Sequence, residues 1–318
     1  MAKTVSENRV IADKLRANLE ACLLGKGEEI QLLLTALLAG GHVLLEDVPG
    51  TGKTVLIKAL AKSIEGQYRR IQCNPDLLPT DITGVSIYHP KHESFLFRPG
   101  PVMTNILLAD EINRATTKTQ AALLEAMEER HVTVDGENYE LPRPFLLLAT
   151  QNPVEFEGTY SLPEAQLDRF MMKFSLGYPD ASTESRMVYA QSKVHPLDQL
   201  KPVARAEQIL KLQQEVREVH LAQKVCDYAV ALVRCTREDA GVFLGAGPRA
   251  TLALVQASKA WALLQGRDYV LPDDIKKLVP YVLGHRILLR GEARMEGTDT
   301  ASLLHDIMQR IPAPLRLE

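Results

Sequence analysis

The sequence has few of the features that identify several classes of protein. Its four cysteines are scattered and form no C-x-x-C pair, which suits a reducing compartment and offers no zinc ligand set. The N-terminus has no apolar signal core, and the longest apolar stretch, residues 30–45, is interrupted by polar residues and two glycines. We therefore expect a cytoplasmic protein with no zinc and no transmembrane segment.

An excess of basic residues is also missing. The 318 residues include 37 Lys and Arg and 40 Asp and Glu, for a net charge of −3, whereas duplex-DNA binders are usually strongly basic. Hydrophobic residues make up 46% and charged residues 24%, which are ordinary values for a globular protein. The length allows two modest domains, each with its own core.

The strongest local signal is the stretch LLEDVPGTGKT, residues 44–54. A phosphate-binding loop reads Gly, four residues, then Gly-Lys-Ser/Thr; Gly52, Lys53 and Thr54 match, but Asp47 replaces the first glycine. Lys53 would contact the β- and γ-phosphates and Thr54 would ligate Mg²⁺. Asp47 suits a left-handed backbone, and we expect its carboxylate to point away from the phosphates. The predicted nucleotide-binding residues are Val48, Pro49, Gly50, Thr51, Gly52, Lys53, Thr54 and Val55.

Strand-like and helical patterns alternate over residues 1–192, which predicts an α/β domain with a five-stranded parallel sheet flanked by helices. The predicted strands lie in residues 42–46, 68–74, 105–111, 144–153 and 170–179. The predicted helices lie in residues 9–39, 53–63 and 123–130. Two further segments, 84–101 and 131–142, have the pattern of inserted hairpins.

The second part of the chain has a different pattern. Residues 193–204 contain two prolines and little periodicity, so we predict a linker there. Residues 205–318 then predict an all-α domain. Its helices are expected at 206–218, 221–237, 249–265, 272–289 and 299–311.

Polar residues at strand ends predict the chemistry. Asp110 and Glu111 end the third strand, where Asp110 could hold Mg²⁺ through water and Glu111 could polarise a water for attack on the γ-phosphate. An ordinary acidic strand end is the alternative, which the neighbouring GTGKT disfavours. Asn152 ends the fourth strand and either reaches the same water or caps the strand. The pattern therefore predicts a Mg²⁺-bound nucleoside triphosphate, and the two acids favour its hydrolysis over transfer to a bound acceptor.

Seven ordered stretches resemble the MoxR group of AAA+ ATPases, in the branch that carries a hairpin inserted in its second helix. They are LLAGGHVLLEDVPGTGKT (37–54), LPTDITG (78–84), LLADEINRATTKTQAALLEAMEE (107–129), ATQNP (149–153), LPEAQLDRF (162–170), GAGPRA (245–250) and YVLPDDIKKLVPYVLGHRI (269–287). Together they span nearly the whole chain. The resemblance implies a P-loop AAA+ core followed by a helical lid domain, with ATP bound between them.

The resemblance also implies roles for single residues. Lys53 and Thr54 look like the Walker A residues, Asp110 and Glu111 like the Walker B pair, and Asn152 like sensor 1. Arg169 is similar to an arginine finger that acts on the neighbouring subunit's nucleotide, and Arg249 to sensor 2. Lys26 departs from the Gly-Gln pair that the family often has near adenine. Segment 84–101 resembles the helix-2 insert, and segment 131–142 resembles the pre-sensor-1 hairpin.

By the same resemblance, we expect a ring oligomer, in the form of a hexamer, that remodels or matures protein complexes. The implied partners are a protein substrate and an adaptor with a von Willebrand A-type domain.

Several readings stay open. The chain could be the motor subunit of a magnesium chelatase, a nucleic-acid motor, or a nucleotide sensor that does not hydrolyse. The acidic hairpin VTVDGENYE disfavours nucleic acid, and an intact Glu111 disfavours the sensor. His89 and His92 lack a third metal ligand nearby and indicate a solvated turn. Arg114 fits either an intersubunit contact or a solvated position.

Overall fold

The computed structural model describes residues 2–48, 50–91, 93–152, 159–190 and 196–314. The strands of its first part are β1 (Val43–Glu46), β2 (Tyr68–Gln72), β3 (Gly84–His89), β4 (Ser94–Pro99), β5 (Ile106–Asp110), β6 (His131–Val134), β7 (Glu137–Glu140), β8 (Leu146–Gln151) and β9 (Met172–Phe174). Five of them form the predicted parallel sheet, in the order β2-β5-β8-β1-β9. The central strands are almost continuous apolar runs because helices cover both faces of the sheet.

Some helices of the first part match predicted segments, whereas those at residues 79–83, 164–167 and 181–190 were not predicted. The helices are α1 (Ala2–Cys22), α2 (Gly27–Ala39), α3 (Lys53–Ser63), α4 (Pro79–Thr83), α5 (Thr117–Glu129), α6 (Glu164–Leu167) and α7 (Ala181–Ala190). The expected single helical segment 9–39 is wrong, because a turn that contains Gly25 (φ 74°) separates α1 from α2. Helix α5 begins well before the predicted residue 123, since the Thr116 side chain caps its polar first turn.

Both predicted hairpins are present. Strands β3 and β4 pair antiparallel, as do β6 and β7. The two hairpins touch where the rings of Phe97 and Tyr139 stack, with centroids 3.8 Å apart. The first hairpin also exposes apolar side chains, including Phe95 at 71%.

The predicted linker is partly structured. Residues 191–195 lie outside the described part of the chain, and α8 (Pro196–Gln199) is a short helix. The backbone amides of Val203 and Ala204 then donate to the carbonyl of Ser63, at 2.9 and 3.1 Å. The end of this segment is therefore fixed to the C-terminus of α3.

The second part of the chain is a helical lid domain with one small addition. Its helices are α9 (Ala206–Glu218), α10 (Gln223–Glu238), α11 (Pro248–Leu264), α12 (Pro272–Leu283), α13 (Gly291–Met295) and α14 (Thr300–Arg310). The expectation of an all-α domain is corrected by an antiparallel pair, β10 (Val242–Leu244) and β11 (Leu288–Leu289). The predicted helix 272–289 accordingly ends at Leu283, and its last residues enter β11.

The lid packs against the first part through shared core and polar contacts. Buried side chains of α2, α9, α11 and α12 belong to one continuous apolar cluster. At the surface, Glu28 at the start of α2 accepts hydrogen bonds from Lys277 and Tyr281 of α12, at 2.5 and 2.7 Å. Among the described residues, no helix is both long and apolar enough to cross a bilayer.

Candidate functional site

The carboxyl ends of the central strands open into one cleft, hereafter the phosphate-side cleft. It is lined by Gly50, Gly52, Lys53, Thr54, Val55, Arg70, Gln72, Asp110, Glu111 and Asn152. The parallel sheet brings these residues together because β1, β5 and β8 all end at the same edge. Eight of the residues predicted from the sequence to bind or act on the nucleotide are thus neighbours in the fold.

The loop after β1 has the backbone of an anion cradle. Gly50 and Gly52 have φ values of 88° and 94°, which favour glycine, and Gly52 is the N-cap of α3. The loop thus leads into the N-terminus of α3, whose amide groups attract anions. The Nζ of Lys53 donates to the carbonyls of Asp47 and Val48, at 3.1 and 3.2 Å. Pro49, predicted to be part of this cradle, lies outside the described residues.

Asp47 is turned away from the cradle. Its carboxylate is buried and accepts hydrogen bonds from the backbone amides of Leu176 and Gly177, at 2.8 and 3.1 Å. This direction agrees with the expectation from the sequence. The expected left-handed backbone is wrong, because Asp47 is not among the described residues with positive φ. Its side-chain contacts, rather than its backbone, account for an aspartate at this position.

The two acids at the end of β5 have different environments. Asp110 accepts from Arg70 through Oδ2 and from Thr150 through Oδ1, both at 2.6 Å. Glu111 accepts from Gln72 at 2.9 Å and lies 3.3 Å from Arg114. Its backbone is left-handed, with φ 56°, so the side chain leaves the strand in a new direction. Arg114 thus contacts Glu111 within the same chain.

Three residues were missed in the sequence: Arg70 and Gln72, which line this cleft, and Thr150, which lies behind it and contacts both acids. Arg70 and Gln72 lie on β2, which is the neighbour of β5 in the sheet, and Gln72 is in register with Asp110. The available signal was the run of exposed polar residues in the strand YRRIQ. These residues point to the site only once the strand order is known. Thr150 precedes the predicted Asn152 by two residues and is fully buried.

The side chains present fit a magnesium triphosphate. Thr54 offers a hydroxyl and Asp110 a carboxylate in the same cleft, and both are hard oxygen ligands. In the part of the chain that is described, no group of three or more His, Cys, Asp or Glu side chains could hold a metal ion. Magnesium is commonly held by one or two protein oxygens together with phosphate oxygens, which is the ligand set this cleft provides.

The two predicted arginines lie together, but not at this cleft. Arg169 pairs with Glu128 at 2.8 Å, and Arg249 pairs with the other oxygen of the same carboxylate at 2.5 Å. These three residues line a separate cleft with Gly40 and His42, which precede β1. Both arginines therefore lie at the amino edge of the sheet, whereas the phosphate loop lies at its carboxyl edge.

In this placement, Arg249 does not face the phosphate loop of its own chain. Strand β1 has four residues and separates the two edges by roughly 13 Å at the usual rise per residue. Glu128 also holds Arg249 beside Arg169, the residue expected to act on a neighbouring subunit. The structure thus groups the two arginines at one surface.

Two buried histidines lie near the amino edge. The Nδ1 of His42 is within 3.0 Å of the Leu147 amide, and burial lowers the pKa of His42 to about 3. The Nε2 of His285 is 3.0 Å from the carbonyl of Phe170, and burial lowers the pKa of His285 to about 3 as well. Both imidazoles are therefore neutral in the folded protein at neutral pH.

Comparisons with known proteins show the family of the chain. Residues 42–172 match the model of the ATPase family associated with various cellular activities (AAA), and residues 234–307 match the AAA lid domain. The chain is 52% identical to the uncharacterized protein YeaC of Bacillus subtilis, over 92% of both chains. It is 41% identical to the chaperone MoxR1 of Mycobacterium tuberculosis, over 92% of this chain and 79% of that protein.

A third relative is the protein MoxR of Methylorubrum extorquens, which is 31% identical over 96% of both chains. Among solved structures, the crystal structure of a candidate ATPase from Cytophaga hutchinsonii superposes with a TM-score of 0.92 at 38% identity, over 98% of both chains. The similarity therefore covers both the sheet domain and the lid.

Proposed function

The chain belongs to the MoxR group of the AAA ATPases, and we propose that it hydrolyses ATP with Mg²⁺ in a ring of subunits that remodels other proteins. The main support is the division of the predicted residues between two sheet edges. Phosphate-binding and acidic residues line one cleft, and two arginines lie together at the opposite edge. We propose residues 1–192 as the nucleotide-binding domain, 193–204 as the linker and 205–318 as the lid.

At the phosphate-side cleft, the amides of the loop and the ammonium of Lys53 would bind the phosphates. Thr54 directly and Asp110 through water would hold Mg²⁺, which neutralises charge on the phosphate oxygens when bound. Glu111 would orient the attacking water and accept its proton. Asn152 would donate to the γ-phosphate or to that water, since it lines the same cleft.

Arg169 and Arg249 would complete the site of the adjacent subunit. A guanidinium is always charged and matches phosphate oxygens in shape, and an arginine supplied by a neighbour accelerates hydrolysis by about 10³ to 10⁵ in well-studied nucleotide hydrolases. Because Glu128 holds both guanidinium groups at one surface, we propose that both act on the same neighbouring nucleotide. Hydrolysis then depends on assembly, which we propose to be a hexamer.

The proposed substrate is a protein. The first hairpin exposes Phe95, Ile87 and Leu96, which suits contact with apolar polypeptide. The second carries Asp135, Glu137 and Glu140, whose charges would repel a phosphate backbone. A chaperone role is supported by the name of the MoxR1 relative. A von Willebrand A-type adaptor and a cytoplasmic location remain part of the proposal.

Mixing two inactive variants tests the shared site. Lys53→Ala removes the phosphate contact but keeps Arg169, whereas Arg169→Ala keeps the phosphate loop but lacks the arginine. Each variant alone should lose most ATPase activity, and a mixture should recover a substantial fraction of it, measured as phosphate release. As a control, the double variant Arg169→Ala/Glu111→Gln mixed with Lys53→Ala should stay inactive.

The opposite results would contradict the proposal. If Arg169→Ala alone kept wild-type turnover at every protein concentration, hydrolysis would not depend on a neighbour. The protein-remodelling role is tested separately, by measuring turnover with and without single-stranded DNA and with an unfolded polypeptide. We expect stimulation by the polypeptide only; stimulation by DNA would favour a nucleic-acid motor.

A further inference from the structure

A short segment between β9 and α7, Leu176 to Tyr178, is hydrogen bonded on two sides by buried charged side chains. Asp47, from the phosphate loop, approaches one side, and Lys26, from the turn before α2, approaches the other. Asp47 is 4% exposed and Lys26 is 9% exposed. Burying a charged side chain is costly unless the charge is paired or hydrogen bonded. Asp47 and Lys26 therefore need partners in this segment.

The carboxylate and the ammonium contact complementary groups of the same segment. Asp47 accepts from the amides of Leu176 and Gly177. Lys26 donates to the carbonyl of Leu176 and, at 3.2 Å, to that of Tyr178. Its third neighbour is the carboxylate of Glu29, 3.6 Å away. The negative group thus meets N–H groups and the positive group meets C=O groups, which stabilises both charges.

The segment Leu176–Tyr178 is followed by Pro179, which is part of the wall of a cavity beside the phosphate loop. This cavity is lined by Lys26, Gly50, Thr51, Gly52, Pro179 and Met187, among others. Gly50 and Gly52 also line the phosphate-side cleft, so the two spaces are adjacent along the loop. Its mixed apolar lining suits the nucleoside part of a nucleotide whose phosphates lie in the cleft.

We propose that Asp47 and Lys26 are positioning residues that hold the wall of the nucleoside cavity at a fixed distance from the phosphate loop. This inference rests on the proposed function, since it assumes that ATP is the ligand. Asp47 is joined to both parts, because its carbonyl accepts from Lys53 while its carboxylate holds Leu176 and Gly177. The aspartate that replaces the first glycine of the loop thus connects phosphate binding to base binding.

The proposal predicts a loss of nucleotide affinity with little loss of chemical rate. Asp47→Asn weakens and Lys26→Met removes hydrogen bonds to Leu176–Tyr178. The cavity wall then moves relative to the loop. We expect the Kd for ADP and the KM for ATP to rise about tenfold, a factor equivalent to roughly 1.4 kcal/mol. Because Glu111 and Asp110 are untouched, kcat at saturating ATP should stay within about twofold of wild type.

The experiment measures ADP binding by titration calorimetry and steady-state ATPase kinetics for wild type, both variants and the double variant. Asp13→Asn, an exposed acid on α1, is the matched control and should change neither constant. The double variant should be less impaired than the product of the single effects, since both residues act on one segment. A kcat that falls as much as kcat/KM, or Kd values equal to the control, would overturn the proposal.

Hydrogen exchange of the wild-type protein gives a second test that requires no variant to fold. The amides of Leu176 and Gly177 lie outside helices and strands, but both donate to Asp47. We expect these amides to exchange slowly, and more slowly still with ADP bound. Rapid exchange at both would show that Asp47 does not hold this segment. If wild type bound no ADP at all, the proposed function would fail, whereas normal ADP binding with unaffected variants would contradict this inference alone.

Discussion

The hydroxyl of Thr150 donates to Asp110 at 2.6 Å and so joins the ends of the neighbouring strands β8 and β5. The same oxygen accepts from the backbone amide of Glu111 at 2.8 Å. One buried hydroxyl therefore fixes both the carboxylate proposed to hold Mg²⁺ and the start of the turn that directs Glu111. Removing the Thr150 hydroxyl should therefore displace Asp110 and Glu111 together.

Thr150→Val tests this arrangement. Valine has nearly the same shape but cannot donate to Asp110 or accept from Glu111. A hydrogen bond to a charged group contributes about 1.5–3 kcal/mol, so we expect kcat to fall roughly 10- to 100-fold, with a smaller change in KM. Steady-state phosphate release measures both constants. Thr150→Ser retains the hydroxyl and should keep most of the activity; equal losses in the two variants would show that packing, not the hydrogen bonds, is responsible.

Glu111→Gln separates binding from hydrolysis. Glutamine keeps the size of the side chain but cannot accept a proton from water, and general-base catalysis contributes about 10² to 10⁴ in rate. We expect ATP affinity near that of wild type and a kcat lower by at least about 100-fold. Equilibrium binding and single-turnover hydrolysis check the two parts. Glu125→Gln, on an exposed position of α5, is the control; full turnover by Glu111→Gln would remove this residue from the mechanism.

The phosphate-side cleft was largely predictable because its signals are local. The loop and helix α3 form one contiguous stretch and the acids at the end of β5 form a second, and buried parallel strands are recognisable as apolar runs. Arg70 and Gln72 were not predictable in the same way, since they become relevant only through the pairing of β2 with β5. Strand order is a property of the whole sheet, and chain order alone does not give it.

The position of Arg249 could not be derived from its motif. The stretch GPRA predicts a helix start, and Pro248 is indeed at the first turn of α11. The sheet edge that Arg249 faces depends, however, on how the lid packs against α2 and α5. The strand pair β10–β11 is a similar case, because Val242 and Leu289 pair although they lie 47 positions apart in the sequence. Such contacts depend on tertiary packing rather than on local pattern.

The grouping of Arg169 with Arg249 predicts the outcome of a second mixing experiment. If both act on a neighbour's nucleotide, one subunit must supply the two arginines together. A mixture of Arg169→Ala and Arg249→Ala subunits then contains no intact pair, and ATPase activity should not recover. If Arg249 served its own chain, the same mixture would contain complete sites and recover activity.

Two matched mixtures make that experiment interpretable. Lys53→Ala mixed with Arg249→Ala should recover activity, because the Lys53→Ala subunit supplies both arginines to its neighbour. Size-exclusion chromatography with light scattering checks that the variants assemble together. Recovery by Arg169→Ala with Arg249→Ala would contradict the shared surface and would place Arg249 at the nucleotide of its own chain.

The buried histidines predict how stability depends on pH. In the unfolded chain, His42 and His285 take up protons near their ordinary pKa of 6.5, whereas the folded values are lowered to about 3. Between these values the unfolded chain binds more protons, so the free energy of unfolding falls as the pH is lowered. Each histidine adds at most about 1.4 kcal/mol per pH unit to this slope.

Denaturant unfolding at several pH values between 6 and 4.5 measures the effect. His42→Asn keeps an acceptor for the Leu147 amide, and His285→Gln keeps a donor for the Phe170 carbonyl, but neither replacement titrates. Both variants should lose stability less steeply with falling pH than wild type, even if they are less stable at pH 7. His305→Asn, at an exposed position of α14, is the control for the loss of an imidazole as such. Slopes equal to wild type in both buried-site variants would show that these imidazoles already carry protons in the folded protein.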